Sequence, residues 1–429
     1  MYNVVAVEDF GTPAVVLVNN GFVNDAHSAA SGKGLPGLRV VPETVICESN
    51  DAENIESGVS AVMDEIIVAL TRPLTLEETT PRKEVEKSSR IIFKGSLSEV
   101  NQFFYRRGWT DGLPIVPPTE EAVAEMLTGT DLPADHVVTK LIPRMGKATV
   151  EKIAVNAVMA GALPTYMPVL IAVVQALMDR KARFDVFEVS TGSWAPFMAI
   201  NGPIRNDIHI NCSSGALSPG NMANAAIGRA VGLIVKNIGG ARKAVEDMGV
   251  IGNPEKYSLV LGENEEECPW EPLHVQRGFK KEDSTITVFL PNSFTQTIPG
   301  DSNAKGVAEA LARMGAGGMS CFIVNPPNAK ILAEGGWTRE KLQKFLAEKA
   351  VLPPQADQNA QPRPTMAPEY ILVVVAGGPG VFMAMLRSAG GGSGGGFNNA
   401  FVTRKVELPK DWDKLVARYK NLIPVYARY

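Results

Sequence analysis

From Leu97 onward, short apolar runs alternate with segments of helical spacing, and that alternation is what most narrows the folds open to this chain. Strand-like runs stand at Asp185–Val189, Phe197–Asn201, Tyr257–Leu261, Thr285–Leu290, Met319–Val324 and Tyr370–Val375. Helical segments fall at Val150–Leu163, Met167–Asp179, Pro219–Asn237, Ala304–Met314 and Arg339–Glu348. Apolar runs bounded by turn residues fit strands buried on both faces. Strands spaced by helices build an α/β or mixed α+β sheet. No internal repeat is visible.

The first residues read as a smaller unit of the same class. Ala14–Val18 is a short apolar run suited to a buried strand, Asn24–Ser31 suits a short helix, and Leu38–Val41 suits a second strand. Val59, Val62, Met63, Ile66, Ile67 and Leu70 then fall at helical spacing, which predicts one helix over Ile55–Leu70. The expected organisation is therefore a small N-terminal α/β module over 1–75, a charged linker over 76–96, and a larger mixed α/β (α+β) body over 97–429. The body opens on GWTDGLPIVPPT, and Thr119 before Glu120 and Glu121 predicts a helix start. Leu352–Pro368 reads as a surface excursion, and Leu408–Pro424 as a polar helix and turn.

Forty-two Lys and Arg against 46 Asp and Glu give a net charge of −4, which argues against a partner held by a basic surface, nucleic acid above all. The longest apolar stretch, Ile153–Met178, is interrupted by Asn156, Gly161, Pro164 and Pro168. It therefore falls short of the roughly 20 apolar residues that a bilayer span needs. The four cysteines, Cys47, Cys212, Cys268 and Cys321, form no C-x-x-C pair and suit a reducing compartment. With Met1 running into a strand-like segment and no leader pattern, the expected location is cytoplasmic.

Three places can carry chemistry. In the first, Asn201-Gly-Pro-Ile-Arg205 ends a strand and leads to Asn211-Cys-Ser-Ser-Gly-Ala-Leu-Ser-Pro-Gly-Asn221-Met-Ala-Asn224. Ser218 is the expected N-cap and Pro219 the first helical residue. Free N–H groups at such a helix start favour an anion, and Arg205 and Arg229 can add charge-assisted contacts. Asn201, Asn211, Ser213, Asn221 and Asn224 supply amide and hydroxyl groups; an ordinary capped helix explains the same residues more plainly. The second place is Glu263-Asn-Glu-Glu-Glu-Cys-Pro-Trp270-Glu-Pro-Leu-His274, following a strand, where open α/β sheets carry ligands. Its carboxylates and His274 suit acid–base work or a hard metal ion, or else form a solvated turn anchored by Trp270. The third is Gly377-Gly-Pro-Gly380, with Val381–Arg387 read as a following helix. It lacks G-x-G-x-x-G and the phosphate-loop lysine, so a tight crossover explains it better than a nucleotide site. Gly390–Gly396 suits a lid, an anion nest or plain flexibility. Cys212, beside a helix start and seven residues from Arg205, is the one thiol with a basic neighbour; small size accounts for it as well, as it does for Cys321 within a strand.

FGTPAVVLV and HSAASGKGLPGLRVVPETV resemble the UGSC-like domain of a family of (seleno)proteins, and the body is similar to the large domain that follows it there, through GWTDGLPIVPPT, ATVEKIAVNAVMAG, NGPIR, GRAVGLIVKNIGG and ENEEECPWEPLH. The resemblance implies thiol or selenol chemistry from a U/C-G-S-C motif ahead of the first strand. The ten residues before Gly11 hold no cysteine, so the resemblance leaves the thiol to a partner subunit, or the chemistry lost.

The leading expectation is an enzyme or enzyme subunit, an oxidoreductase or lyase, acting on a small polar or carboxylate-bearing substrate. Arg205 pairs with the anionic group, Asn211 and Asn221 orient it, and Glu263, Glu265 or His274 moves protons. Homo-oligomers or a thiol-bearing subunit are the expected partners; no cofactor and no metal is assigned. A non-catalytic binding or assembly subunit is the second reading, and a nucleotide-binding enzyme using Gly377–Gly380 the third.

Overall fold

The computed structural model describes residues 2–45, 51–79, 90–315, 318–349, 367–388 and 400–419. Cys47, Gly390–Gly396 and nearly all of Leu352–Pro368 lie outside them. The N-terminal part runs α1 (Tyr2–Asp9), β1 (Val15–Asn19), α2 (Val23–Gly32), β2 (Arg39–Glu43), α3 (Ala52–Ala61), α4 (Met63–Thr71) and the single turn α5 (Leu76–Thr79). The body follows with α6 (Leu97–Arg106), α7 (Glu120–Leu127), β3 (Val137–Leu141), β4 (Gly146–Thr149), α8 (Val150–Met159), α9 (Met167–Leu177), α10 (Phe184–Phe187), β5 (Phe197–Asn201), α11 (Ile204–Asp207), α12 (Met222–Ile234), β6 (Val260–Gly262), α13 (Leu273–Gln276), β7 (Thr285–Phe289) and β8 (Ser293–Thr297). It closes with α14 (Ala304–Arg313), β9 (Ser320–Val324), α15 (Pro326–Glu334), α16 (Arg339–Lys349), β10 (Ile371–Val375), β11 (Met383–Arg387), β12 (Val402–Lys405) and α17 (Trp412–Tyr419). The mixed α/β class is thus as expected.

Two four-stranded sheets make the centre of the body, ordered β12-β7-β5-β6 and β8-β11-β9-β10. Side-chain alternation shows how they stack. Phe197, Ala199, Leu261 and Phe289 from one sheet share an apolar cluster with Cys321, Ile323, Leu372, Val374 and Leu386 from the other. The alternate residues Met198, Ile200, Ile286 and Val288 face α8, α9 and α12, while Phe322, Val324, Val373 and Met385 face α14, α15 and α16. The result is four layers, helix–sheet–sheet–helix, with every central strand buried on both faces, which is why those strands read as unbroken apolar runs.

The two sheets repeat one topology. β5 pairs parallel with β6 and antiparallel with β7; β9 pairs parallel with β10 and antiparallel with β11. The edge strands are exchanged. β8 follows β7 yet pairs with β11, whereas β12 follows β11 yet pairs with β7. Glu263 N donates to Ile200 O and Ala376 N to Val324 O, each at 3.1 Å, so Asn201 and Asn325 close equivalent strands. FMAINGP and CFIVNPP share little beyond that Asn and a Pro, and a duplication so diverged is invisible as a repeat.

Several expectations are corrected. Asp185–Val189 is no strand, because Phe184–Phe187 forms a helical turn. The predicted helix over Val381–Arg387 is β11, recruited by pairing with β9 and β8. Residues Tyr257–Ser258 precede the short strand that begins at Val260. The long helix 55–70 is broken at Val62, whose φ of −110° and ψ of 9° leave the helical region. Residues after Met1 form α1, not a strand. Thr119 does cap α7, accepting from Ala122 N at 3.2 Å.

The N-terminal sheet is the parallel pair β1–β2, around a small core of Val5, Val16, Ala30 and Leu38. Helix α2 rests on the body. A Cβ at Gly32 would lie 3.0 Å from Arg144 Cα, and Ser28 Oγ donates to the buried Glu246, which Arg242 Nε also holds at 2.9 Å. Burial and then the Glu246 carboxylate push Asp25, on the same helix, up to about 6 from 3.8. Because its folded value is the raised one, protonation of Asp25 favours this packing. That contribution is complete below about pH 4 and lost as pH rises through 6. Asp25→Asn is therefore expected to raise the thermal midpoint at pH 7 and to flatten its fall between pH 4 and 6. A profile parallel to that of the parent chain would contradict this.

Candidate functional site

The ends of β5 and β6 carry one buried polar cluster. Asn201, the last residue of β5, is fully buried, as are Glu263 and His274; Arg205 and Arg339 are nearly so. Gly202 allows the chain to turn beneath them: its φ is +83°, and a Cβ there would meet Asp283 O at 2.1 Å.

Glu263 is the anchor. It accepts from Asn201 Nδ2 at 2.6 Å, Leu273 N at 2.7 Å and Arg339 Nη2 at 2.6 Å. With its oxygens occupied from three sides and no exposed surface, it ties the cluster together. Glu265 is different. Oε1 alone receives Gly202 N at 2.7 Å and Asn201 Nδ2 at 3.0 Å. Arg205 Nε at 3.2 Å and His274 Nδ1 at 3.7 Å stand within ion-pair distance of the same atom, without hydrogen-bond geometry. Among the described residues the hydrogen bonds and ion pairs of the Glu265 side chain are all made through Oε1, and the side chain keeps 13% exposure.

Arg205 also donates to Glu263 O at 2.7 Å and grips Glu266 bidentately at 3.0 and 3.1 Å. Partial burial opposes ionisation of Glu266, but the Arg205 guanidinium, helped by Asn206, overrides it and holds the carboxyl at about 2. Five buried atoms without a hydrogen-bond partner gather at this strand end: Asn201 Oδ1, Arg205 Nε, His274 Nδ1, Arg339 Nε and Thr285 Oγ1, the last on the residue paired across from Asn201. A buried donor or acceptor left unpaired costs about 1–3 kcal/mol, and for Arg205 Nε and His274 Nδ1 the nearby Glu265 carboxylate offsets part of that cost.

The other predicted residues divide. Asn221, not Ser218, caps α12, accepting from Asn224 N at 3.0 Å. Asn224 Nδ2 lies within hydrogen-bond reach of Asn211 O, Ala216 O and Val260 O, and Asn211 Oδ1 accepts from Ser213 N at 2.9 Å. These amides fasten the loop to β6, the plainer of the two explanations. Arg229 stands apart, bound to Asp111 at 2.8 and 3.0 Å. With Lys236 donating to Thr110 O and Asn237 to Trp109 O, it straps the GWTDGLP turn onto α12 and its extension. Trp270 Nε1 donates to Trp337 O at 2.9 Å, in the core beneath α16.

Sequence reasoning missed Arg339, 76 residues from Glu263 and legible only as helix surface, and Glu266, one of a run of acids. Gly377–Gly380 leads into β11 and not a helix, so the strand–turn–helix layout of a phosphate loop is not formed there. It lies against the site all the same: Gly377 N donates to Cys212 O at 2.9 Å, Asn264 N to Val375 O at 2.7 Å, and a Cβ on Gly378 would meet Ser214 Oγ at 1.8 Å. Burial raises the Cys212 thiol against the pull of Arg205, and raises Cys268 to about 11, so neither is poised as a thiolate. Among the described residues no three His, Cys, Asp or Glu side chains are placed to hold a metal ion, and no helix is long and apolar enough to cross a membrane. A separate cavity of about 1030 Å³ is lined by the 90–97 segment with Trp109, Lys152, Asn156 and Asn237.

Residues 1–72 match the model of the UGSC family, so the resemblance noted for the N-terminal module is shown. No curated protein and no solved structure matches the chain.

Proposed function

We propose that this chain is an enzyme, or the substrate-holding subunit of one, that handles a small carboxylate-bearing substrate at the ends of β5 and β6, with Glu265 exchanging protons. The observation that carries the reading is the crowding of donors about Glu265 Oε1. A carboxylate fixed through one oxygen, with residual exposure and a buried imidazole behind it, suits general acid–base work. Arg205 is the anion partner. Glu266, whose side chain is 55% exposed, lies on it as a substrate carboxylate would, and a ligand can displace it more easily than a buried group. Asn211 and Ser213 shape the loop beside it.

The UGSC-like module connects this site with thiol chemistry of the oxidoreductase or lyase kind. Burial disfavours the thiolate at Cys212 and Cys268, which favours a reacting thiol supplied by a partner subunit, and a reducing, cytoplasmic setting suits the chain's free cysteines. The test is proton NMR in heavy water with a panel of 2-hydroxy, 2-amino and 2-oxo acids, each with and without dithiothreitol in place of the partner. Deuterium entry at C2 of a 2-hydroxy or 2-amino acid or at C3 of a 2-oxo acid, or thiol-dependent conversion, is expected for at least one class. Cys212→Ser should leave that rate within about threefold, since a positioning loop and not a nucleophile is altered; a loss of about a thousandfold would place the nucleophile in this chain, well beyond the cost of a ~1 Å misplacement. If no acid is exchanged or converted, the second reading holds, a non-catalytic assembly subunit.

A further inference from the structure

The duplicated topology supplies an internal control for the edges of the two sheets. β12 and β8 occupy equivalent positions, each the outermost strand beside an antiparallel neighbour. Natural edge strands are guarded with charge, Pro or irregularity, because a bare edge invites another strand. The β12 edge follows that rule: Arg404 pairs with Asp179 at 2.9 Å and Lys405 with Asp283 at 2.8 Å. The β8 edge does not. Its residues, Ser293-Phe-Thr-Gln-Thr297, carry no charge, and Phe294, Thr295 and Gln296 are exposed. Among the described residues no strand pairs with its outer side. Apolar exposure continues along it through Ile298 and, from the segment leading into β11, Val381 and Phe382, which is 63% exposed.

We infer that β8 is the contact by which two copies of this chain associate, antiparallel edge to edge, fusing their sheets into one of eight strands. The occupant is argued from self-complementarity. An antiparallel pair centred on Gln296 sets Phe294 of one copy opposite Ile298 of the other, and Thr295 opposite Thr297. Aromatic against β-branched and Thr against Thr are favourable cross-strand pairs, and a two-fold contact requires each to occur twice. This inference does not depend on the proposed chemistry.

Light scattering of the full chain after gel filtration tests it. The expected mass is twice 45.9 kDa. Gln296→Lys places like charges on the two-fold axis and Phe294→Lys removes an apolar pair. Each should weaken association by on the order of tenfold or more, with circular dichroism unchanged because both sites are exposed. Gln296→Cys should give a covalent dimer with a short bis-maleimide, beyond any seen for the parent chain. A single-chain mass for the parent, a dimer indifferent to both lysines, or no added cross-link overturns the proposal. A strand from a different protein as the true occupant would appear as the first of these.

Discussion

Glu265→Gln will lower turnover by about two to four orders of magnitude, the usual share of a positioned acid–base group. Glutamine keeps the shape of the side chain and an oxygen for Gly202 N and Asn201 Nδ2, which lie 2.7 and 3.0 Å from Oε1. The fold is therefore retained and the loss falls on the proton-transfer step. Steady-state rates across pH check it, on whichever substrate the heavy-water panel identifies. The variant should lose kcat with little change in KM, together with the limb of the profile that belongs to the carboxylate. A variant within tenfold of the parent would move the proton-exchanging role away from Glu265.

Arg339→Met will destabilise the body by about 3–5 kcal/mol, the cost of leaving one member of a buried ion pair alone. Arg339 Nη2 sits 2.6 Å from Glu263 Oε1, and both side chains are essentially closed to water. Methionine fills much of the volume yet supplies no donor, so Glu263 keeps only Asn201 and Leu273 N. Adding Glu263→Gln to Arg339→Met should restore a large part of the loss, because no unpaired carboxylate is then buried at position 263. Urea unfolding of the single and double variants measures both effects. A single-variant loss below about 1 kcal/mol, typical of exposed pairs, would contradict the buried arrangement.

Much of this architecture could be read from the residues alone. The strands with the strongest apolar runs, Phe197–Asn201, Thr285–Leu290, Met319–Val324 and Tyr370–Val375, are the central ones, because a strand buried on both faces has little room for polar residues. The strands missed, β3, β4, β8 and β12, are short, half exposed or at edges, where no such constraint acts. β11 was read as a helix since Val-Phe-Met-Ala-Met-Leu-Arg has helical propensity, and long-range pairing overrides it. The cluster of Asn201, Arg205, Glu263, Glu265 and His274 was legible because both segments follow strands that prove to be neighbours. Arg229 was misplaced for the converse reason. A helix start suggested an anion site, but the true cap at Asn221 leaves Arg229 two turns on, facing Asp111. Arg339 could not be found, as nothing local distinguishes a buried helix arginine from a solvated one.

The account rests on the ends of β5 and β6 being where substrate is handled, and a crystal structure of the chain with an acid from the heavy-water panel tests that most directly. The account predicts the ligand carboxylate on Arg205, with Glu266 displaced outward and the carbon that exchanges within reach of Glu265. A ligand held elsewhere, in the cavity beside Trp109 and Asn156 for instance, with the Arg205–Glu266 pair intact, would contradict it.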